Sequence, residues 1–151
     1  MSEIGEFDSI ASDKKTVSVQ VLELGKQIVE ILVDTKAGLD EQGKMAKKMG
    51  MKLFKKNAGM PIEEWIQYAK DLVPEFEKLV KSIEKGDAPT MDLISEARPK
   101  FADLKESYIS TAKMASRFLK GEELENALEG LTFSEKRIGL IIEAIEFLEK
   151  N

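Results

Sequence analysis

The chain has 151 residues and a formal net charge of −5, with 42% hydrophobic and 34% charged side chains. These are the proportions of a folded globular chain, too apolar for intrinsic disorder and too charged for a membrane span. Neither cysteine nor histidine is present, which excludes disulfide frameworks, thiolate nucleophiles, Ser-His-Asp triads and the Glu-x-x-His sites of di-iron bundles.

The length suits one domain with a real core. The expected division is a flexible N-terminus over residues 1–13 and a single helical-bundle domain over 14–151. The opening "MSEIGEFDSIASDKK" is polar and acidic, without the basic and apolar regions of a secretory signal. No apolar run approaches the roughly 20 residues that cross a bilayer. A cytoplasmic location is the expectation, with non-classical secretion left open.

From there the apolar residues recur at three- and four-residue steps and never alternate, so the fold class is all-α. Val17, Val21, Leu24, Ile28 and Ile31 form the seam of a helix predicted over about 14–37. After the lysine-rich stretch that follows, "GMPIEEW" reads as a fresh start. Pro61 suits the first helical position, and Glu63 and Glu64 complement the positive end of the helix dipole. That helix carries Trp65, Ala69, Leu72, Phe76, Leu79 and Ile83 on one face and stops at Gly86.

The next helix is predicted from "GDAPTMD" to about Lys120, with Ile94, Ala97, Phe101, Leu104, Tyr108, Ala112, Ala115 and Phe118 facing one way. Gly121 ends it, and "EELENALEG" suggests a short helix of its own. Thr132 followed by Glu135 has the spacing of a capping box, so a last helix is expected from there to about Lys150, packing Ile138, Ile141, Ile142, Ile145 and Leu148 inward. Short connections between such helices describe an antiparallel bundle of four to five helices. Pro74 and Pro99 each remove a backbone bond inside an apolar stripe and are expected to bend or interrupt their helices. They fall 12 and 13 residues either side of Gly86, at nearly equal heights in a hairpin turning there.

Chemistry has little seat in this pattern. The glycines are scattered singly, without a phosphate-cradling cluster, and no inward-facing pair of carboxylates stands out for acid–base work. No catalysis, no cofactor and no metal are the expectations. Trp65 and Tyr68 have the spacing of a stacking pair, although Trp65 lies in the core stripe. The acidic run near 122–129 reads as support for a helix dipole.

The exception is "GKMAKKMGMKLFKKNAGM", Gly43 to Met60, with six lysines and no acid. The rest of the chain carries 17 basic residues against all 28 acidic ones, a formal −11. On a helical wheel Met45, Ala46, Met49, Gly50, Leu53 and Phe54 share one half. Lys44, Lys47, Lys48, Lys52 and Lys55 share the other, with Lys56 at the border and Met51 the one large apolar residue among the lysines.

The default for such a pattern is that Met45, Met49 and Leu53 pack in the core and the lysines form a solvated face. A second reading is contact with an anionic membrane surface. A third is docking on an acidic protein partner or on another copy's acidic face. Nucleic acid is disfavoured, because the domain is acidic and the patch holds no arginine to read base edges. The function expected is therefore a non-enzymatic bundle acting by macromolecular binding, of the adaptor, inhibitor, immunity or assembly type. The alternative is a membrane-surface-active or lipid-binding bundle in which 43–60 swings on the glycines at 38, 43, 50 and 59. The candidate partner-binding residues are Lys44, Lys47, Lys48, Lys52, Lys55, Lys56 and Met51.

Overall fold

A computed structural model describes residues 7–151, and 84% of them lie in five helices with no strand among them. The helices are α1 (Lys14–Asp40), α2 (Lys44–Ala58), α3 (Ile62–Glu84), α4 (Asp92–Phe118) and α5 (Gly121–Lys150). Of the N-terminus expected to be flexible, residues 1–6 lie outside the described ones. Phe7, Ile10 and Ala11 pack against the core. The Ala11 amide donates to Gln20 Oε1 at 2.8 Å, and Arg137 Nη1 donates to the Phe7 carbonyl at 2.7 Å.

α1 begins where Asp13 caps it, its Oδ2 accepting from the Thr16 amide and hydroxyl, both at 2.9 Å. Those bonds hold the Asp13 carboxyl below its ordinary value. The seam buries Val17, Val21, Leu24, Ile28, Ile31 and Leu32, and the helix runs on through Gly38 to Asp40. α3 packs on it in the opposite direction: the Phe76 ring seats on Gly25, and Lys36 lies in the field of Glu63.

α3 ends at Glu84, and the chain turns at Gly86, whose φ of 81° only a residue without Cβ takes easily. The chain then returns as α4. Trp65 stacks at a tilt on Phe101, with centroids 5.7 Å apart, and Lys100 Nζ lies over the Tyr68 ring. α5 reverses once more, with Lys105 beside Gly139 and Arg98 paired to Glu149 at 2.9 Å. α1, α3, α4 and α5 thus form an up-down-up-down bundle. The short α2 is laid against its side, chiefly on α4.

Three expectations change. Pro74 and Pro99 both lie inside unbroken helices. Each is on the exposed face, where water can take the carbonyl that a proline leaves without its partner. They are not level: Pro99 stands beside the turn of Trp65 and Tyr68, whereas Pro74 lies about 9 Å further along α3 at the helical rise. Nor does "EELENALEG" form a helix of its own. α5 is continuous from Gly121, so Thr132 and Glu135 sit mid-helix and cap nothing. In the α4 stripe, Ala112 and Ala115 are only half-buried and Phe118 is 77% exposed.

Candidate functional site

α2 is anchored at its C-terminal end. Met51, Phe54 and Ala58, at three- and four-residue steps, turn toward the bundle, with Phe54 and Ala58 buried and Met51 packed against the core. The Ala58 carbonyl accepts from Trp65 Nε1 at 2.8 Å in a buried bond. Trp65 is itself fully buried, edge-on to Tyr68 with centroids 5.4 Å apart. It is a core residue, not an open stacking platform.

This orientation turns the wheel away from its default. Met45 is 79% exposed and Met49 69% exposed, so neither packs in the core. The physical reason lies in where the core ends. Its last buried residue in α1 is Leu32, its last in α4 is Tyr108, and its first in α5 is Ser134. Beyond that level the helices continue with half-buried faces that do not close on one another, and α2 lies across the gap.

The gap is a groove of about 860 Å³ between α2, the end of α1 and the second half of α4. Leu39, Ala46, Met49, Leu53, Met114 and Leu131 line it, so its wall is mostly carbon. At its floor the Tyr108 hydroxyl meets Thr35 Oγ1 at 2.6 Å. Burial pushes the Tyr108 phenol up to about 12, against a smaller opposing effect of the Thr35 bond. Lys52 and Lys56 border the same groove.

The lysines also border a second depression, which Lys52 shares. Lys44, Lys47, Lys48, Lys52, Lys55 and Met51 line a shallower crevice of about 480 Å³ that α2 makes with Pro61, Ile62 and Glu63 at the start of α3. Lys47 is held by Asp40 at 2.9 Å, and Asp40 also accepts from Lys36 at 2.8 Å. Those two lysines hold the Asp40 carboxyl below its ordinary value. The structure therefore brings the candidate lysines together on one short helix, and it places Met51 beneath them as packing.

Sequence reading missed the groove itself. Leu39, Tyr108, Met114 and Leu131 come from three helices, and nothing in one helix's periodicity links them. A faint signal was present in the stripe of α4, where Ser107, Ser110 and Thr111 thin the apolar pattern. The acidic run supplies Glu122 and Glu123 to the first turn of α5, where they face the dipole favourably. Among the described residues no group of three acidic side chains is placed to hold a metal ion, and no helix is long and apolar enough to cross a membrane. The chain matches no protein-family model, no curated protein and no solved structure.

Proposed function

We propose that this protein works without catalysis, by macromolecular binding, and that its groove takes an acidic amphipathic helix from a partner protein. The observation that carries this is the outward placement of Met45 and Met49 on the lysine helix, with Met49 lining an apolar groove. Exposed methionines adapt to differing apolar side chains, and a groove of this kind receives the apolar face of a helix. Acidic residues flanking that face would meet Lys52 and Lys56, and the surplus charge of α2 would speed the encounter. Adaptor, inhibitor, immunity and assembly roles all use such a surface, and the proposal includes a cytoplasmic location.

The test is a photo-crosslinking side chain placed at Met49 in the cells of origin, with Lys78 as the control position on α3. The expected product is a protein crosslinked from Met49 alone, through a peptide that is acidic and apolar at helical spacing. Crosslinks no more abundant than from Lys78 would overturn the reading.

A second reading, contact with an anionic membrane surface, is favoured by one observation. Phe118, one helical turn beyond the groove residue Met114, is 77% exposed and would supply an aromatic anchor. Crosslinks to lipid, with flotation on anionic vesicles at low salt, would support it instead. Crosslinks to a second copy would point to self-association.

A further inference from the structure

We infer that the N-terminal part of α2, residues 44–50, is a hinged jaw over the groove, latched to α1 by the Lys47–Asp40 ion pair and opening about the anchor at Met51, Phe54 and Ala58. Its purpose as an entrance rests on the proposed reading of the groove as a partner site.

The two ends of α2 differ in how they are held. The C-terminal end has two buried side chains, a buried bond from Trp65 to the Ala58 carbonyl, and Gly59 at a φ of 88° to turn the chain into α3. The N-terminal part, 44–50, has no buried residue, and Met51, packed against the core, begins the anchored part. Its intrinsic helix chemistry is poor. Gly43 caps it without a side-chain bond, its first turn holds no acid, and Lys44, Lys47 and Lys48 crowd the positive end of the dipole. Gly50, inside the helix, lowers propensity further.

Two contacts hold this part to α1. Gly50 lets Leu39 come so close that a Cβ there would stand 2.6 Å from the leucine's Cδ2. Lys47 reaches Asp40, and Lys36 from the preceding turn of α1 steadies the same carboxylate. The ion pair is solvent-exposed, with the lysine side chain 44% and the aspartate 36% accessible. Such pairs are weak and screened by salt. A weak latch on a helix that is well anchored only at its far end gives a jaw whose opening widens the groove between Met49 and Met114.

The absence of cysteine makes the test clean. Spin labels on Met49→Cys and Met114→Cys report the width of the groove. The Asp40→Asn change should lengthen and broaden that distance distribution, and 1 M salt should do the same in the otherwise native chain. In the full-length protein, amides of residues 48–53 should exchange about two- to five-fold faster after Asp40→Asn, as removal of one exposed pair allows. Amides of 55–58 should keep their rates. Glu75→Gln, which removes the exposed pair with Lys78 in α3, should change neither measurement.

Unchanged distances and rates in both Asp40→Asn and high salt would overturn the jaw. Acceleration of 48–58 as one block would overturn the hinge about Met51, Phe54 and Ala58, since the helix would then lift whole. Neither measurement needs a partner. A rigid α2 would leave the groove's proposed ligand standing, and a moving α2 beside a groove that crosslinks to nothing would sink only the proposed function.

Discussion

Tyr108 on α4 donates its hydroxyl to Thr35 Oγ1 on α1 at 2.6 Å. The direction follows from Thr35, whose single hydroxyl proton goes to the Ile31 carbonyl at 2.8 Å. This pair closes the core and floors the groove, so its two ends are not equivalent.

Tyr108→Phe removes the donor and leaves Thr35 still bonded to Ile31, at a cost of about 1 kcal/mol. Thr35→Val leaves the Tyr108 hydroxyl buried with no acceptor, at a cost of about 1–3 kcal/mol. The double variant should then be less destabilised than the sum of the two. Urea unfolding of the four proteins checks this, and strict additivity would mean that the bond contributes nothing.

The phenols give a pH signature. Burial raises both Tyr68 and Tyr108 to about 12, with Glu96 adding to the first, against about 10 in the unfolded chain. A raised phenol favours the folded state fully below the unfolded value, and that contribution disappears as pH rises through the folded one. The chain has two tyrosines, so absorbance near 295 nm should show little tyrosinate at pH 10. It should then rise together with loss of helix between pH 10 and 12. A simple titration centred at 10 with the helix intact would contradict the burial.

Much of this architecture was legible because the helices that build the core bury one continuous stripe each. Val17 to Leu32 and Ile62 to Ile83 could be read residue by residue. The continuity of α5 could not, for a local reason. Its seam runs Leu131, Ser134, Ile138, Ile141 and Ile145, and Ser134 fills an apolar slot while donating to the Gly130 carbonyl at 3.0 Å. The stripe therefore looked broken beside a plausible cap. For α2 the wheel divided the residues into an apolar and a lysine half, and the core engages neither half as a whole but the border between them, because periodicity carries no information on which side faces in. Phe54 lay at the edge of that wheel, and it is Phe54, Met51 and Ala58 that the core engages.

Two glycines of α1 separate packing from propensity. Gly25 lies under Phe76, and a Cβ there would meet two ring carbons at 2.6 Å. The ring is fully buried, so Gly25→Ala should destabilise by about 1–3 kcal/mol through overpacking. At Gly38 a Cβ meets nothing within 4 Å, and Gly38→Ala should stabilise by about 1 kcal/mol from helix propensity alone. Thermal melts of the pair should move in opposite directions.

Trp65 links the anchor of α2 to the core. Trp65→Phe keeps an aromatic against Phe101 but deletes the donor to the Ala58 carbonyl and leaves a void, together costing about 2–4 kcal/mol. Amide exchange in residues 55–58 should quicken beyond the global effect, because this bond ties the end of α2 to α3. A destabilisation spread evenly over the bundle would show that Trp65 only fills space.

The last prediction separates the two faces of α2. If its methionines had a structural role, replacing them would cost what buried methionines cost, about 2–5 kcal/mol each to alanine. At 79% and 69% exposure, Met45→Gln and Met49→Gln should instead fall within about ±0.5 kcal/mol, the range of surface changes. Phe54 is 6% exposed in the same helix, and Phe54→Ala should cost about 3–5 kcal/mol. Urea midpoints of the three variants, compared at equal slope, measure the contrast. The glutamines should also abolish the crosslink that a probe at the neighbouring Leu53 makes to a partner, while leaving the melt unchanged, because the methionine side chains meet apolar surface only when a partner is bound. A large fall in stability from either glutamine would return the methionines to the core and remove the observation on which the binding proposal stands.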